Sequence, residues 1–403
     1  MASLKTLEKI NPKKFYQKRV LVRVDFNVAI NKGKITEDFR IKASLPTIEF
    51  LRKQRAKIIL ISHLGEPTPF KSLFDSKNIN TENQEFSLRP VAKYLGKLLK
   101  KRIKFAPDCI GDKVKKEISK MKSGEILVLE NVRFYKEEEE NSEEFAKKLS
   151  ENVDYFINDA FAVCHRNHAS VVAITKYLPS SAGFLLAKEV EILNKAYSHP
   201  QKPLCIVMGG SKMSTKIKLI LRFFDKADHI LIGGALANTL LGAKGFAIGK
   251  SKSEINMTDG LSGIDLTSTK FHLPIDTVVA KEISDKAKIK IKGAGNIEND
   301  ELILDLGPDT IRLFNSIINE SKMVIWNGPL GLFEIKKFAR GTNEFAKNLV
   351  KTKSFTILGG GDTIAAVDKL KILNKFDFVS TGGGAMLDFL SGDKLPGIEA
   401  LKV

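Results

Sequence analysis

Cysteine is scarce in this chain: Cys109, Cys164 and Cys205 are the only three in 403 residues. They stand far apart, make no CxxC pair, and have no histidine at zinc-ligand spacing. That usage argues against a disulfide framework and a local zinc site, and fits reduced thiols in the cytoplasm. Long apolar runs are missing too. The N-terminal segment, from Met1 to Lys9, lacks the hydrophobic core of a signal peptide. The longest semi-apolar stretch, residues 229–249, is interrupted by several glycines, Asn238 and Lys244. It reads as a buried strand, turn and helix, so no membrane span is expected. Fixed-period repeats, heptads and low-complexity tracts are absent as well.

What the chain has in excess is positive charge, a formal net +18. Such a balance suits nucleic acid or a polyanionic surface when the cations cluster. Here the lysines are spread along the sequence and arginines are few, with no zinc-finger spacing or basic tail. Solvated lysine-rich faces are the plainer reading, no nucleic-acid partner is expected, and the field favours a small anionic substrate. The length exceeds one comfortable core and favours two domains.

Short β-rich runs recur between helical segments, at residues 19–27, 56–63, 124–131, 153–160, 203–210, 228–234, 322–328, 354–361 and 376–384. Several are near-continuous Val/Ile/Leu stretches, as parallel strands covered on both faces require. The alternation predicts α/β architecture: two Rossmann-like, doubly wound parallel sheets. Residues 67–84 read as a surface loop, and 137–140 as the start of an acidic, solvated helix.

Ligands of open α/β sheets sit beyond the carboxyl ends of the strands, so the residues that follow each strand matter most. In the first half these are Arg23, Asp25, Asn27, His63, Glu130, Asn131, Arg133, Asn158, Asp159, His165, Arg166 and His168. In the second half they are glycines: 209–210, 233–234, 328, 359–361 and 382–384. Arg and His clusters suit a small phosphorylated acid, because Arg grips carboxylate and phosphate bidentately. Glycine turns feeding helix N-termini suit nucleotide phosphates, which need close backbone approach. Taken singly, each feature has a duller reading: Arg23 with Asp25 as an ion pair, His63 as a solvated loop residue, the glycines as tight turns. Their co-occurrence on one sheet edge is what points to function.

Residues 209–216 place Lys212 and Lys216 four apart at an expected helix start, hence on one face, where they can neutralise a transferring phosphate. The spacing is not that of a Walker A loop. Asp362, after Gly359-Gly360-Gly361, is placed to hold Mg²⁺ together with nucleotide oxygens. A dinucleotide-dependent dehydrogenase would want GxGxxG after the first strand, and residues 23–31 offer none.

Seven segments in order resemble the phosphoglycerate kinase family. They are Arg23-Val24-Asp25-Phe26-Asn27, Ser62-His63-Leu64-Gly65, Leu129-Glu130-Asn131-Val132-Arg133-Phe134, residues 209–216, residues 326–334, residues 359–363 and residues 380–385. The resemblance spans essentially the whole chain. It implies two domains flanking an interdomain cleft: residues 1–180 with 385–403 for phosphoglycerate, and residues 181–384, opening on a connecting helix near 181–199, for nucleotide. It implies that Asp25, Asn27, Arg40, His63, Arg133 and Arg166 bind 3-phosphoglycerate. It also implies that Lys216, Gly233, Gly234, Asn327, Glu334, Gly360, Gly361, Asp362 and Thr363 bind ATP or ADP with Mg²⁺ on Asp362. Arg40 and Lys212 would stabilise the phosphoryl group in flight, in a monomeric glycolytic enzyme. One departure stands out. The family usually reads His-Leu-Gly-Arg-Pro, and Glu66 occupies the Arg position here; an outward-facing Glu66 is expected.

Overall fold

Strand Arg19–Arg23 alternates its side chains between two apolar layers, and this sets the plan of the first half of the molecule. Val20 and Val22 enter one core with Ile58, Leu60, Phe15, Ile41 and Leu95. Leu21 enters the other with Ile59, Ile61, Leu127, Phe156 and Phe145. A strand buried on both faces cannot alternate apolar with polar, which is why these runs read as continuous hydrophobic stretches. The computed structural model describes residues 3–69, 85–254, 265 and 267–402.

Two six-stranded sheets result, every pairing in them parallel. The first runs Lys104–Phe105, Ile126–Val128, Lys57–Ile61, Arg19–Arg23, Tyr155–Asn158, Ser180–Ala182. The second runs Phe271–His272, His229–Ile232, Leu204–Met208, Met323–Asn327, Phe355–Gly359, Phe378–Val379. By chain order the second is 3-2-1-4-5-6, the doubly wound arrangement whose ligand crevice opens where the order reverses. That reversal lies between Leu204–Met208 and Met323–Asn327.

The chain divides into two compact units, Met1–Ile192 with Lys394–Val403, and Leu193–Asp393. Helix Phe184–Ser198 runs across the first division. Its N-terminus is held by side chains: Leu185 N–H donates to Asp159 Oδ1 at 2.9 Å and Phe184 N–H to Thr47 Oγ1 at 3.0 Å. The returning C-terminal segment docks on the first unit, where Gly397 N–H donates to the Cys164 carbonyl at 2.9 Å and Lys5 N–H to that of Leu401 at 3.2 Å.

Several elements differ from the sequence expectation. Lys104–Phe105, Ser180–Ala182 and Phe271–His272 are strands of two or three residues, too short to show a period. The helix expected near 181–199 accordingly starts only at Phe184. A three-stranded antiparallel sheet, Lys290–Gly293, Asp276–Ala280 and Leu302–Leu306, was also unforeseen. Its outer strand is lysine-rich and exposed, which masks the pattern. The acidic helix is solvated on one side only: Glu139 and Glu140 are exposed, whereas Glu137 and Glu138 are buried, Glu138 against Ser170. Of the expected loop at 67–84, residues 70–84 lie outside the described residues.

Candidate active site

In the first unit the chain leaves strand Arg19–Arg23 and turns through Asp25 and Asn27. Asp25 is buried, and its Oδ2 accepts from Arg40 Nη1 at 2.7 Å. Its Oδ1 accepts the Asn27 N–H at 3.1 Å, while Asn27 Oδ1 accepts the Gly65 N–H at 2.8 Å. The loop after strand Lys57–Ile61 is thereby tied to the turn after its neighbour. Arg133 Nη1 donates to the Gly65 carbonyl at 2.9 Å, and its Nε lies 3.2 Å from Glu139 Oε1. Asp25, Asn27, Arg40, His63 and Arg133 thus converge on residues 63–65.

Arg166 is exposed and joins this group by charge alone. With burial first, and Arg133, Arg23, Arg166 and His165 following, His168 is pushed down to about 3. Burial, then Arg23, Arg133, Arg40 and His168, holds His63 well below its ordinary value. These histidines are neutral at physiological pH, and the positive potential comes from the arginines. Arg23 is not the ion-pair partner of Asp25: it is wholly buried and bonds Ser170 Oγ, the Val24 carbonyl and His63. Glu66 is exposed, and no ion pair joins it to these arginines among the described residues.

The second unit builds its site from close backbone approach. A Cβ on Gly209 would stand 2.0 Å from the Pro329 carbonyl oxygen, and one on Gly328, at φ +95°, would stand 2.3 Å from that of Gly209. Only glycines let the two strand ends meet at the reversal of strand order. Around them opens a cavity of about 470 Å³, mostly apolar, lined in part by Gly210, Gly234, Pro329, Glu334 and Asp362. Gly233 does not line it, because it packs behind, against Leu330.

Helix Gly361–Asp368 starts beside the cavity with Asp362 exposed in its first turn. Gly360 takes φ +93° as its N-cap, and Thr363 Oγ1 accepts the Gly328 N–H at 2.7 Å. Asn327 is buried, and its Nδ2 has no hydrogen-bond partner among the described residues.

Lys216 is buried, with Nζ donating to the Gly209 carbonyl at 2.6 Å. Burial lowers it to about 8 against the pull of Asp362 and Glu254. Lys212 is exposed, so the two lysines do not share a helix face. Residues 211–213 are irregular, 214–216 form a turn, and helix Ile217–Phe224 begins after them. Glu254 Oε2 accepts the N–H groups of Met213 and Ser214 at 2.9 and 3.3 Å and so ties down the stretch between the two lysines.

Glu254 escaped the sequence reading, as did Asn238, Lys250 and Lys252 in the cavity lining. No local pattern marks these residues. Strand Leu302–Leu306, which forms one cavity wall, did have a signal in its apolar run.

The described residues thus place an arginine-rich set at the strand ends of one doubly wound α/β unit, and in the other a glycine-built cavity lined in part by Asp362, with Lys216 close by but outside its lining. Comparison with known proteins narrows this. The family model described as Phosphoglycerate kinase matches residues 10–393. A phosphoglycerate kinase of Dictyoglomus turgidum is 45% identical over 99% of both chains, and one of Borrelia turicatae is 44% identical over 99% of this chain and 100% of its own. The solved phosphoglycerate kinase structure from Coxiella burnetii superposes with a TM-score of 0.82 at 39% identity, covering 99% of each chain. That from Pyrococcus horikoshii gives 0.84 at 32% identity, over 99% of this chain and 98% of its own. The chain belongs to the phosphoglycerate kinase family.

Proposed function

We propose that this chain catalyses the reversible transfer of a phosphoryl group between 1,3-bisphosphoglycerate with ADP and 3-phosphoglycerate with ATP, as in glycolysis. The observation that carries this reading is full-length membership of one family whose named members are phosphoglycerate kinases. In the direction of ATP use, a carboxylate oxygen of 3-phosphoglycerate attacks the γ-phosphorus in line and ADP leaves. Such a transfer demands positioning and charge neutralisation more than proton transfer.

The first unit is assigned the acid. Arg40, Arg133 and Arg166 supply charge, Asn27 and His63 supply hydrogen bonds, and Asp25 orients Arg40. The second unit is assigned the nucleotide: Lys216, Asn327 and residues 360–363 the phosphates, Glu334 and Gly234 the nucleoside side of the cavity. Gly233 acts indirectly, by shaping the wall. Arg40 and Lys212 are assigned to the charge that develops on the moving phosphoryl group. Lys212 suits this role because it has no side-chain partner to leave among the described residues; Arg40 must loosen its bond to Asp25.

The residues present fit a Mg²⁺ that arrives with the nucleotide. Among the described residues no three His, Cys, Asp or Glu side chains cluster to hold an ion by themselves. Asp362 is a single exposed carboxylate beside the cavity, and one carboxylate plus nucleotide oxygens is a common Mg²⁺ set. When bound, the ion would neutralise phosphate charge.

We further place the chain in the cytoplasm as a monomer without nucleic-acid or membrane partners. Its three buried, free cysteines support the compartment. No helix among the described residues is long and apolar enough to cross a membrane. A coupled assay for ADP formation tests the function. ADP should appear only when ATP, Mg²⁺ and 3-phosphoglycerate are all present, and formation independent of 3-phosphoglycerate would overturn it.

A further inference from the structure

Glu138 and Ser170 stand outside the sets assigned to ligands, yet both are wholly buried in the first unit. Ser170 has one hydroxyl hydrogen, which it donates to Glu138 Oε1 at 2.6 Å, while Glu138 Oε2 accepts the Ser170 N–H at 2.9 Å. With that hydrogen committed, Ser170 Oγ presents only lone pairs to Arg23 Nε, 2.9 Å away. Arg23 Nη1 is held separately by the Val24 carbonyl at 2.6 Å. Two anchors fix the guanidinium plane and set Nη2 at 3.3 Å from His63 Nδ1.

A guanidinium can only donate, so Nδ1 must accept and the single ring proton must sit on Nε2. Asp25 Oδ1, the other group near Nδ1, is 4.0 Å away, too far for a hydrogen bond that would favour the opposite tautomer.

We infer that the chain Glu138–Ser170–Arg23 holds His63 as the neutral Nε2–H tautomer, so that His63 serves the acid site as a hydrogen-bond donor and not as a cation. Glu138 and Ser170 are then positioning residues. The inference rests on the assignment of phosphoglycerate to this unit. The charged and titratable groups facing His63 are Arg23, Arg133, Arg40, His168 and Asp25, and burial with the first four keeps the ring neutral. The cost of burying Arg23 is offset chiefly by Glu138 and next by Asp25. Glu138, read from the sequence as solvated surface, is therefore the main counter-charge to Arg23 beneath the site, while burial pushes its own carboxyl up against the pull of Arg23 and Ser170.

The test is ¹⁵N NMR of the histidine-labelled full chain, with steady-state kinetics. Ligand-free wild type should show a pyrrole-type Nε2 and a pyridine-type Nδ1 for His63 between about pH 6 and 8. Ser170→Ala strips Arg23 Nε of its acceptor and should give a mixture of tautomers. It should also raise KM for 3-phosphoglycerate about tenfold, the scale of one hydrogen bond to a charged group. Its kcat should stay within about twofold and its KM for ATP unchanged, the signature of lost uniform binding. Ser170→Thr retains the hydroxyl and should restore both readouts.

A wild-type His63 with its proton on Nδ1, or titrating as an imidazolium near pH 7, would overturn the proposal. So would Ser170→Ala with wild-type signals and KM. The wild-type spectrum decides the tautomer even if Ser170→Ala does not fold. A correct tautomer in a chain inactive on 3-phosphoglycerate would refute the assigned function and His63's part in it, but not the relay.

Discussion

At the scale of single residues, partnership decides what each charge can do. Lys212 is exposed and without a side-chain partner among the described residues, so removing it disturbs little else. Lys212→Ala should lower kcat by about 10²-fold, the loss of one preorganised electrostatic donor, with a much smaller change in nucleotide affinity. Near-normal kcat would remove Lys212 from the chemistry. Asp362→Asn should weaken MgATP binding more than binding of metal-free ATP, because only the former uses the carboxylate as a ligand. Calorimetric titrations with and without Mg²⁺ check this, and equal losses would argue against ligation. Glu66 occupies a family Arg position, yet it is exposed while Arg40 and Arg133 are engaged by Asp25, Gly65 and Glu139. Glu66→Arg should therefore leave KM for 3-phosphoglycerate within about twofold of wild type. A large fall in KM that shrinks as salt rises past ~0.1 M, where charges more than ~10 Å apart are screened, would show that Glu66 faces the site. The type of each of these residues was legible in the sequence. Their partners were not, because Lys212 and Lys216 look equivalent until Glu254, far along the chain, holds the turn between them.

At the scale of elements, the strands of the two parallel sheets were legible wherever an apolar run marks them, down to Ile126–Val128 and Phe378–Val379, whereas Lys104–Phe105, Ser180–Ala182, Phe271–His272 and the three antiparallel strands were missed. Helix Phe184–Ser198 illustrates what spacing cannot show. It starts on the carboxyl of Asp159 and the hydroxyl of Thr47, which come from other elements. Burial pushes Asp159 up to about 7, against hydrogen bonds from Thr47 and from the N–H groups of Leu185 and Leu186. An unfolded Asp titrates near ~3.9. Between these values the folded chain binds the extra proton, so the stabilisation is complete below about pH 4 and lost as pH rises through about 7. Asp159→Asn keeps an acceptor oxygen and cannot ionise. Its melting temperature should stay close to wild type near pH 4 and exceed it increasingly toward pH 8. A gap that is constant with pH, or that closes as pH rises, would mean that Asp159 does not ionise in the folded chain over this range.

At the scale of the whole molecule, the α/β class and the contrast between an Arg/His half and a glycine half were both readable from strand-end residues alone. That the chain's C-terminal segment returns was an expectation drawn from resemblance alone, because such long-range contacts leave no local pattern in the sequence. The segment beginning at Lys394 is seated by a glycine with no room to spare: a Cβ on Gly397 would stand 2.7 Å from Val171 Cγ1 and 3.0 Å from Cys164 Cα. Gly397→Val should destabilise the chain by about 1–3 kcal/mol through overpacking. An unchanged thermal midpoint would mean that docking of the segment contributes nothing. That docking also imposes an order on biosynthesis. The second unit, Leu193–Asp393, is contiguous, whereas the first is assembled from two stretches that lie on either side of it. The first unit therefore cannot close until the whole of the second has been synthesised, although its own synthesis begins first. A chain truncated at Asp393 and released from the ribosome should carry one finished unit and one open one, with the open one being the unit whose synthesis began first.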